Sequence, residues 1–253
     1  TGTGSVTLTS SITTATSYVI NNQSSGTVII TQNEIGSVST SNSSTQGHSF
    51  AAIYNNGTGL CTISNNIIGS TAVTGSIRGQ SASTANIQFI YGVLSNNTGT
   101  VNINNNTIFN LLNNTTRNDV ANSCSGIVLS GSKTNTVTGN FISDIDCSST
   151  GANNYVAGLY SDSYGGTLTA YNNIIYLGRN LDGKNYLIHG IYNKSGAAEN
   201  FYHNTVYISG TAGTSSLLSS AFRKGGWSTS LVVKNNIFVN IRTGGSSAKH
   251  PAI

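Results

Sequence analysis

One alternation of apolar and polar positions recurs seven times along the chain: apolar, any, apolar, any, any, Asn, any, apolar. It occurs as Val28, Ile30, Asn33, Ile35, then as Cys61, Ile63, Asn66, Ile68, then as Val101, Ile103, Asn106, Ile108. The fourth copy is Val137, Asn140, Ile142, with Asn135 in the first slot, and the fifth is Leu168, Ala170, Asn173, Ile175. The sixth is Phe201, Asn204, Val206, with Glu199 in the first slot, and the seventh is Leu231, Val233, Asn236, Phe238. The steps between successive asparagines are nearly equal, with one longer step from Asn66 to Asn106. A second marker keeps pace, a small residue followed by an apolar one and often Tyr. It appears at Ala52-Ile53-Tyr54, Gly92-Val93-Leu94, Gly126-Ile127-Val128, Gly158-Leu159-Tyr160, Gly190-Ile191-Tyr192 and Ala221-Phe222-Arg223, each a near-constant half-period before its asparagine. Tyr18-Val19-Ile20 reads as an earlier, degenerate copy.

Apolar residues two apart place their side chains on one face of a strand. The interruption before Asn needs a bend, and Asn suits it because it tolerates the left-handed backbone region. A fixed period of this size is the mark of a solenoid. Each period then supplies three short strands: the first holds the Gly-Ile-Tyr marker, the second the apolar pair, the third the apolar residue after Asn. With one coil per period, the asparagines stack and each amide bonds the next.

This pattern resembles the right-handed parallel β-helix of the pectate-lyase-like superfamily, with its asparagine ladder. The resemblance covers nearly the whole chain and implies an all-β, single-stranded solenoid of about seven coils, each of roughly 32 residues, in one domain over 1–253. The implied ladder is Asn33, Asn66, Asn106, Asn140, Asn173, Asn204 and Asn236. Such coils serve lyases, glycosidases, tailspikes, adhesins and surface repeats, so the resemblance speaks to fold and not to function. Val6 and Leu8 read as a third strand, and Ala252-Ile253 falls one period after Ala221-Phe222. The reading is therefore of a segment of a longer repeat protein, with further coils of the same polypeptide as neighbours.

Composition agrees. The chain holds 34 Asn and 29 Gly but only 7% charged residues, which excludes coiled coils and helical bundles. No apolar run is long enough to insert in a membrane as a helix. The net charge is +4, and eight of the 11 basic residues lie at or beyond Arg179, too sparse for a surface that tracks nucleic-acid phosphates. Low charge with abundant Ser, Thr and Asn fits an extracellular or cell-surface location. Of the three cysteines, Cys124 and Cys147 are the more natural disulfide pair, and three buried thiols, Cys61 included, are the alternative.

The acidic residues are Glu34, Asp119, Asp144, Asp146, Asp162, Asp182 and Glu199. None makes a recognisable glycosidase pair. Asp144 and Asp146 with loop carbonyls form the one candidate Ca2+ site, and no other cofactor is expected. A β-elimination lyase needs a base and a cation at a uronate, and His189, Tyr192, Lys194 and Arg223 supply those types on adjacent coils. The outer face of the first strands is the main candidate ligand face, a row of Tyr54, Leu94, Val128, Tyr160, Tyr192 and Arg223. The Ala and Gly row beside it is expected to form a shallow floor, with Asp162-Ser163-Tyr164 and Lys224-Gly225-Gly226-Trp227 as walls. Such a surface suits sugar rings. Thr27, Thr100, Thr136 and Thr167 are the candidates for an ice-binding array, without the doubled T-x-T pattern. The expected function is a non-enzymatic structural or adhesive segment of a secreted protein, with glycans or other surface proteins as partners. Carbohydrate binding or cleavage on the first-strand face is the alternative.

Overall fold

The computed structural model describes residues 5–253 apart from 13–14, 44, 82, 85, 116–122, 132, 149–153, 164, 197, 215–216 and 248. The chain is a right-handed parallel β-solenoid of about seven coils. Three sheets run along it. The first stacks Ala15–Asn22, His48–Asn55, Phe89–Ser95, Ser123–Leu129, Tyr155–Ser161, Leu187–Asn193 and Ser219–Lys224. The second stacks Val28–Thr31, Cys61–Ser64, Val101–Asn104, Asn135–Thr138, Thr167–Tyr171, Ala198–Tyr202 and Ser230–Lys234. The third, ten-stranded, begins at Val6–Ser10 and ends at Ile237–Asn240. Val6–Ser10 pairs with Val38–Asn42 in that sheet, where the sequence places it. At the other end Ser219 and Phe222 donate their backbone N–H groups to Lys249 and Ala252, extending the first sheet.

Between the sheets lies one continuous apolar core, running from Ile30 and Ile35 to Val206, Ile208 and Phe222. A core this narrow requires each coil to cover its neighbours, so stability is a nearest-neighbour property.

All seven predicted ladder amides bond in one column. Asn33 Nδ2 donates to Asn66 Oδ1 at 2.8 Å, and the same contact repeats from Asn66 to Asn106 (2.8 Å), Asn106 to Asn140 (3.0 Å) and Asn140 to Asn173, Asn173 to Asn204 and Asn204 to Asn236 (2.9 Å each). From Asn66 onward each amide also caps a second-strand carbonyl of the preceding coil, as Asn140 Nδ2 does for Ile103 O at 2.9 Å. The bend itself sits one residue earlier than the sequence pattern suggests. Positive φ falls on Gln32, Asn65, Asn105, Gly139, Asn172, His203 and Asn235, which frees the ladder asparagines to turn their amides inward.

The longer period between Asn66 and Asn106 keeps its columns in step. Residues 69–76 separate Ile67–Ile68 from Ile77–Gly79, where the next coil has only Phe109 and Asn110 between Ile108 and Leu111. The extra length leaves the third sheet at its bend and returns to the same register.

Candidate functional site

On the outer face of the first sheet the predicted row exists. Cα pairing runs Tyr54–Leu94–Val128–Tyr160–Tyr192–Arg223 in successive coils. A second outer column, missed in the sequence, runs beside it through Tyr18, Ala51, Tyr91, Ser125, Ala157, His189 and Ser220. Rings from both columns, and from the starts of the strands, pack against one another on this face. Tyr18 stacks on Tyr54 at 4.4 Å, and Phe89 stacks on Tyr91 at 4.6 Å. Tyr160 meets Tyr155 and Tyr192 at 5.4 Å each. Ala51, Tyr91, Leu94 and Val128 are buried in this external apolar layer.

The expected glycine floor is not there. Gly92, Gly126, Gly158 and Gly190 face inward, against the third strand of their own coil. A Cβ on Gly158 would collide with Ile175 Cγ2 and lie 2.8 Å from Gly190 O, and one on Gly126 would lie 2.6 Å from Ile142 Cγ2. Ala52 and Ala221, at the same register, belong to the core. The marker is small because the first and third sheets approach each other there.

Of the four residues named for lyase chemistry, His189, Tyr192 and Arg223 touch one another, and Lys194 follows the Leu187–Asn193 strand at the same edge. Arg223 lies over the Tyr192 ring, 4.9 Å from its centroid, and donates from Nη1 to His189 Nε2 at 3.1 Å. That leaves the His189 proton on Nδ1, donated to Ser220 Oγ at 2.8 Å. His189 is fully buried, and burial first, then Arg223, hold its pKa down to about 3. Both ring nitrogens are engaged, so His189 offers no lone pair to a substrate. Burial, with Tyr155 and Asp162 beside it, raises the pKa of Tyr160, whose hydroxyl donates to Asp162 Oδ2 at 3.1 Å. Lys194 Nζ stands 4.0 Å from the same carboxylate. Arg223 has no carboxylate partner among the described residues.

Trp227 is 94% exposed on the turn after the last first-sheet strand. With Lys194, Gly196, Gly225 and Gly226 it lines an open hollow of about 430 Å3. Gly225 is seated against the Tyr192 ring, where any Cβ would fall 2.5 Å from Cε2. Tyr192, Arg223, Lys194 and Trp227 therefore share one corner of the solenoid, and Tyr54 lies four coils away. Tyr164, the other proposed wall, lies outside the described residues, as does Asp119.

Asp144 and Asp146 each accept from basic side chains one coil on. Asp144 receives Arg179 Nε at 3.1 Å and Nη2 at 2.7 Å. Asp146 receives Lys184 Nζ at 3.1 Å and the Tyr186 hydroxyl at 2.5 Å. Asp144 occupies the left-handed bend of the third strand (φ 53°), the place held by Ser37 and Asn110 in earlier coils. Among the described residues no group of three His, Cys, Asp or Glu side chains converges on one point. Glu199, in an apolar slot of the repeat, is fully buried and held by Lys224 Nζ at 3.3 Å and by Ser228 Oγ at 2.6 Å. Cys61, Cys124 and Cys147 are free, buried thiols, which is one of the two alternatives the sequence leaves open. Burial above all raises the Cys124 pKa, and neighbouring Cys147 adds to it. Of the four threonines, Thr136 and Thr167 lie in different second-sheet columns, and Thr27 and Thr100 precede their strands.

No family model, no curated protein and no solved structure matches the chain.

Proposed function

We propose that this chain is a non-enzymatic, rigid β-solenoid segment of a secreted or cell-surface protein, serving structural extension or adhesion. The observation that carries the reading is that its reactive side chains are engaged in holding coils together. His189 is buried between Ser220 and Arg223, Asp144 and Asp146 are ion-paired to the next coil, and Glu199 is paired to Lys224. An uninterrupted column of bonded amides suits a stiff rod better than a cleft. Incubation with pectins, alginates and neutral glycans is expected to release neither unsaturated uronates nor new reducing ends. Turnover above a heat-treated control removes the proposal.

A second reading rests on Trp227 and its neighbours. An exposed indole beside the Lys194 hollow, with Tyr192 and Arg223 at the same corner, supports carbohydrate binding at this end of the first sheet. On a glycan array Trp227→Ala and Tyr192→Ala should each weaken binding about tenfold or more, and Tyr54→Ala, four coils away, should not. Absence of binding to every glycan dismisses this reading and leaves the structural one.

A further inference from the structure

The last residues of the first-sheet strands form a column, Asn22, Asn55, Ser95, Leu129, Ser161, Asn193 and Lys224 in successive coils. All but Lys224 are buried. The two amides at its start point along the column toward the next coil. Asn22 Nδ2 donates to Asn55 Oδ1 at 2.8 Å, and Asn55 Nδ2 donates to Ser95 Oγ at 3.2 Å. Asn22 Oδ1 meanwhile accepts the backbone N–H of Ser24, two residues on. Asn193 repeats this arrangement, its Oδ1 accepting the N–H of Ser195 at 3.2 Å. The next residue in its column, however, is Lys224, which offers no side-chain acceptor. Asn193 Nδ2 is buried without a hydrogen-bond partner. A buried amide nitrogen left unbonded is uncommon and calls for a reason.

Lys224 supplies a second anomaly. Its Nζ donates at 2.6 Å to the carbonyl of Ser195, the residue whose N–H holds the Asn193 amide. The same Nζ lies 3.3 Å from Glu199 Oε2. Glu199 is fully buried, in the slot that Leu168 and Leu231 occupy in the coils on either side. An amine, a carboxamide and a carboxylate are thus gathered around Ser195, and Asn193, Ser195 and Glu199 are all closed to solvent.

We propose that Lys224 and Asn193 react with each other to form an isopeptide bond, with Glu199 carrying the protons. Glu199 takes a proton from the Lys224 ammonium across the contact already made, and the neutral Nζ attacks Asn193 Cγ. The Cγ–Nζ bond forms and the Cγ–Nδ2 bond breaks. Of the three protons on the ammonium, one stays in the new amide and two pass through Glu199 to the departing nitrogen, which leaves as ammonium. One amide replaces another, so nothing is oxidised or reduced and no co-reactant enters. Holding the groups together in a folded coil supplies the proximity that free side chains in water lack. The bond joins the ends of Leu187–Asn193 and Ser219–Lys224 and clasps one full winding of the solenoid.

Intact-mass spectrometry of the denatured chain tests this. The wild-type chain should be lighter than its sequence by one ammonia. Lys224→Arg, which keeps the cation, and Asn193→Ser should each show the full mass of their own sequences. Glu199→Gln should also remain uncross-linked, while circular dichroism still reports the solenoid. Tryptic mapping locates the loss: the peptide ending at Lys194 should be joined to one that begins at Lys224, where an acylated lysine resists cleavage. A wild-type chain of full sequence mass overturns the proposal. So does an ammonia loss confined to a single peptide, as a succinimide at Asn56-Gly57 would give, or a joined pair that persists in Lys224→Arg. A cross-link undiminished in Glu199→Gln overturns the part given to the carboxylate.

Discussion

At Asn140 the two functions of a ladder amide meet. Its Oδ1 accepts both the backbone N–H and the Nδ2–H of Asn106, and its Nδ2 donates to Asn173 and to Ile103 O. Truncation strands several buried polar groups at once, each worth about 1–3 kcal/mol when orphaned. Asn140→Ala should thus lower unfolding stability by about 3 kcal/mol or more in urea titrations, and Asn236→Ala, at the less enclosed end of the column, by about 1 kcal/mol. His189 makes a pH prediction. Its folded pKa, about 3, lies below the ordinary 6.5, so the unfolded chain binds the extra proton between those values. Stability is full above pH 6.5 and is lost as pH falls toward 3, at no more than about 1.4 kcal/mol per unit. His189→Gln should flatten that part of the curve between about pH 4.5 and 6.5, above the range where carboxylates titrate. At this scale the ladder was legible, because seven asparagines kept step with an apolar pattern. The left-handed position was displaced by one, since Asn-Asn pairs such as Asn65-Asn66 do not say which member bends. The partners of Asp144 and Asp146 were not legible, because ion pairs one coil apart leave no local signal.

A single first-sheet strand shows why side-chain direction was harder to read than strand position. Along Tyr155–Ser161 the inward residues are Val156 and Leu159, three apart, with Gly158 between them also turned toward the core. Strict alternation fails at that point, and a reading by period two sends the glycine outward. Gly158→Ala should cost about 1–3 kcal/mol by overpacking. The cost should shrink in an Ile175→Ala background, because Ile175 Cγ2 is the nearest obstacle. Thermal unfolding of the two single variants and the double variant provides the cycle. The third sheet was under-read for a different reason. The repeat defines its strands by one apolar residue after Asn, and the outward residues, Phe141, Ile174, Tyr176 and Tyr207, vary too much to register as a motif.

Taken whole, the molecule is a stack in which every winding leans on the next. Hydrogen exchange should be slowest in the second-sheet strands Val101–Asn104 and Asn135–Thr138, and should quicken toward Val6–Ser10 and Ser230–Lys234. A uniform, all-or-none protection pattern would contradict a nearest-neighbour account. Periodicity made this architecture readable because the same physical demand, burying a narrow core, recurs once in every coil. What does not recur, such as Trp227 and Arg223, has no internal standard of comparison, so no role can be read for it from the repeat. The long coil between Asn66 and Asn106 has one more lesson. It ejects residues 69–76 at a bend and resumes its columns undisturbed. Length and address are thus independent in this scaffold: foreign peptides grafted between Ser70 and Val73 should be displayed at a fixed site without altering the rod that carries them.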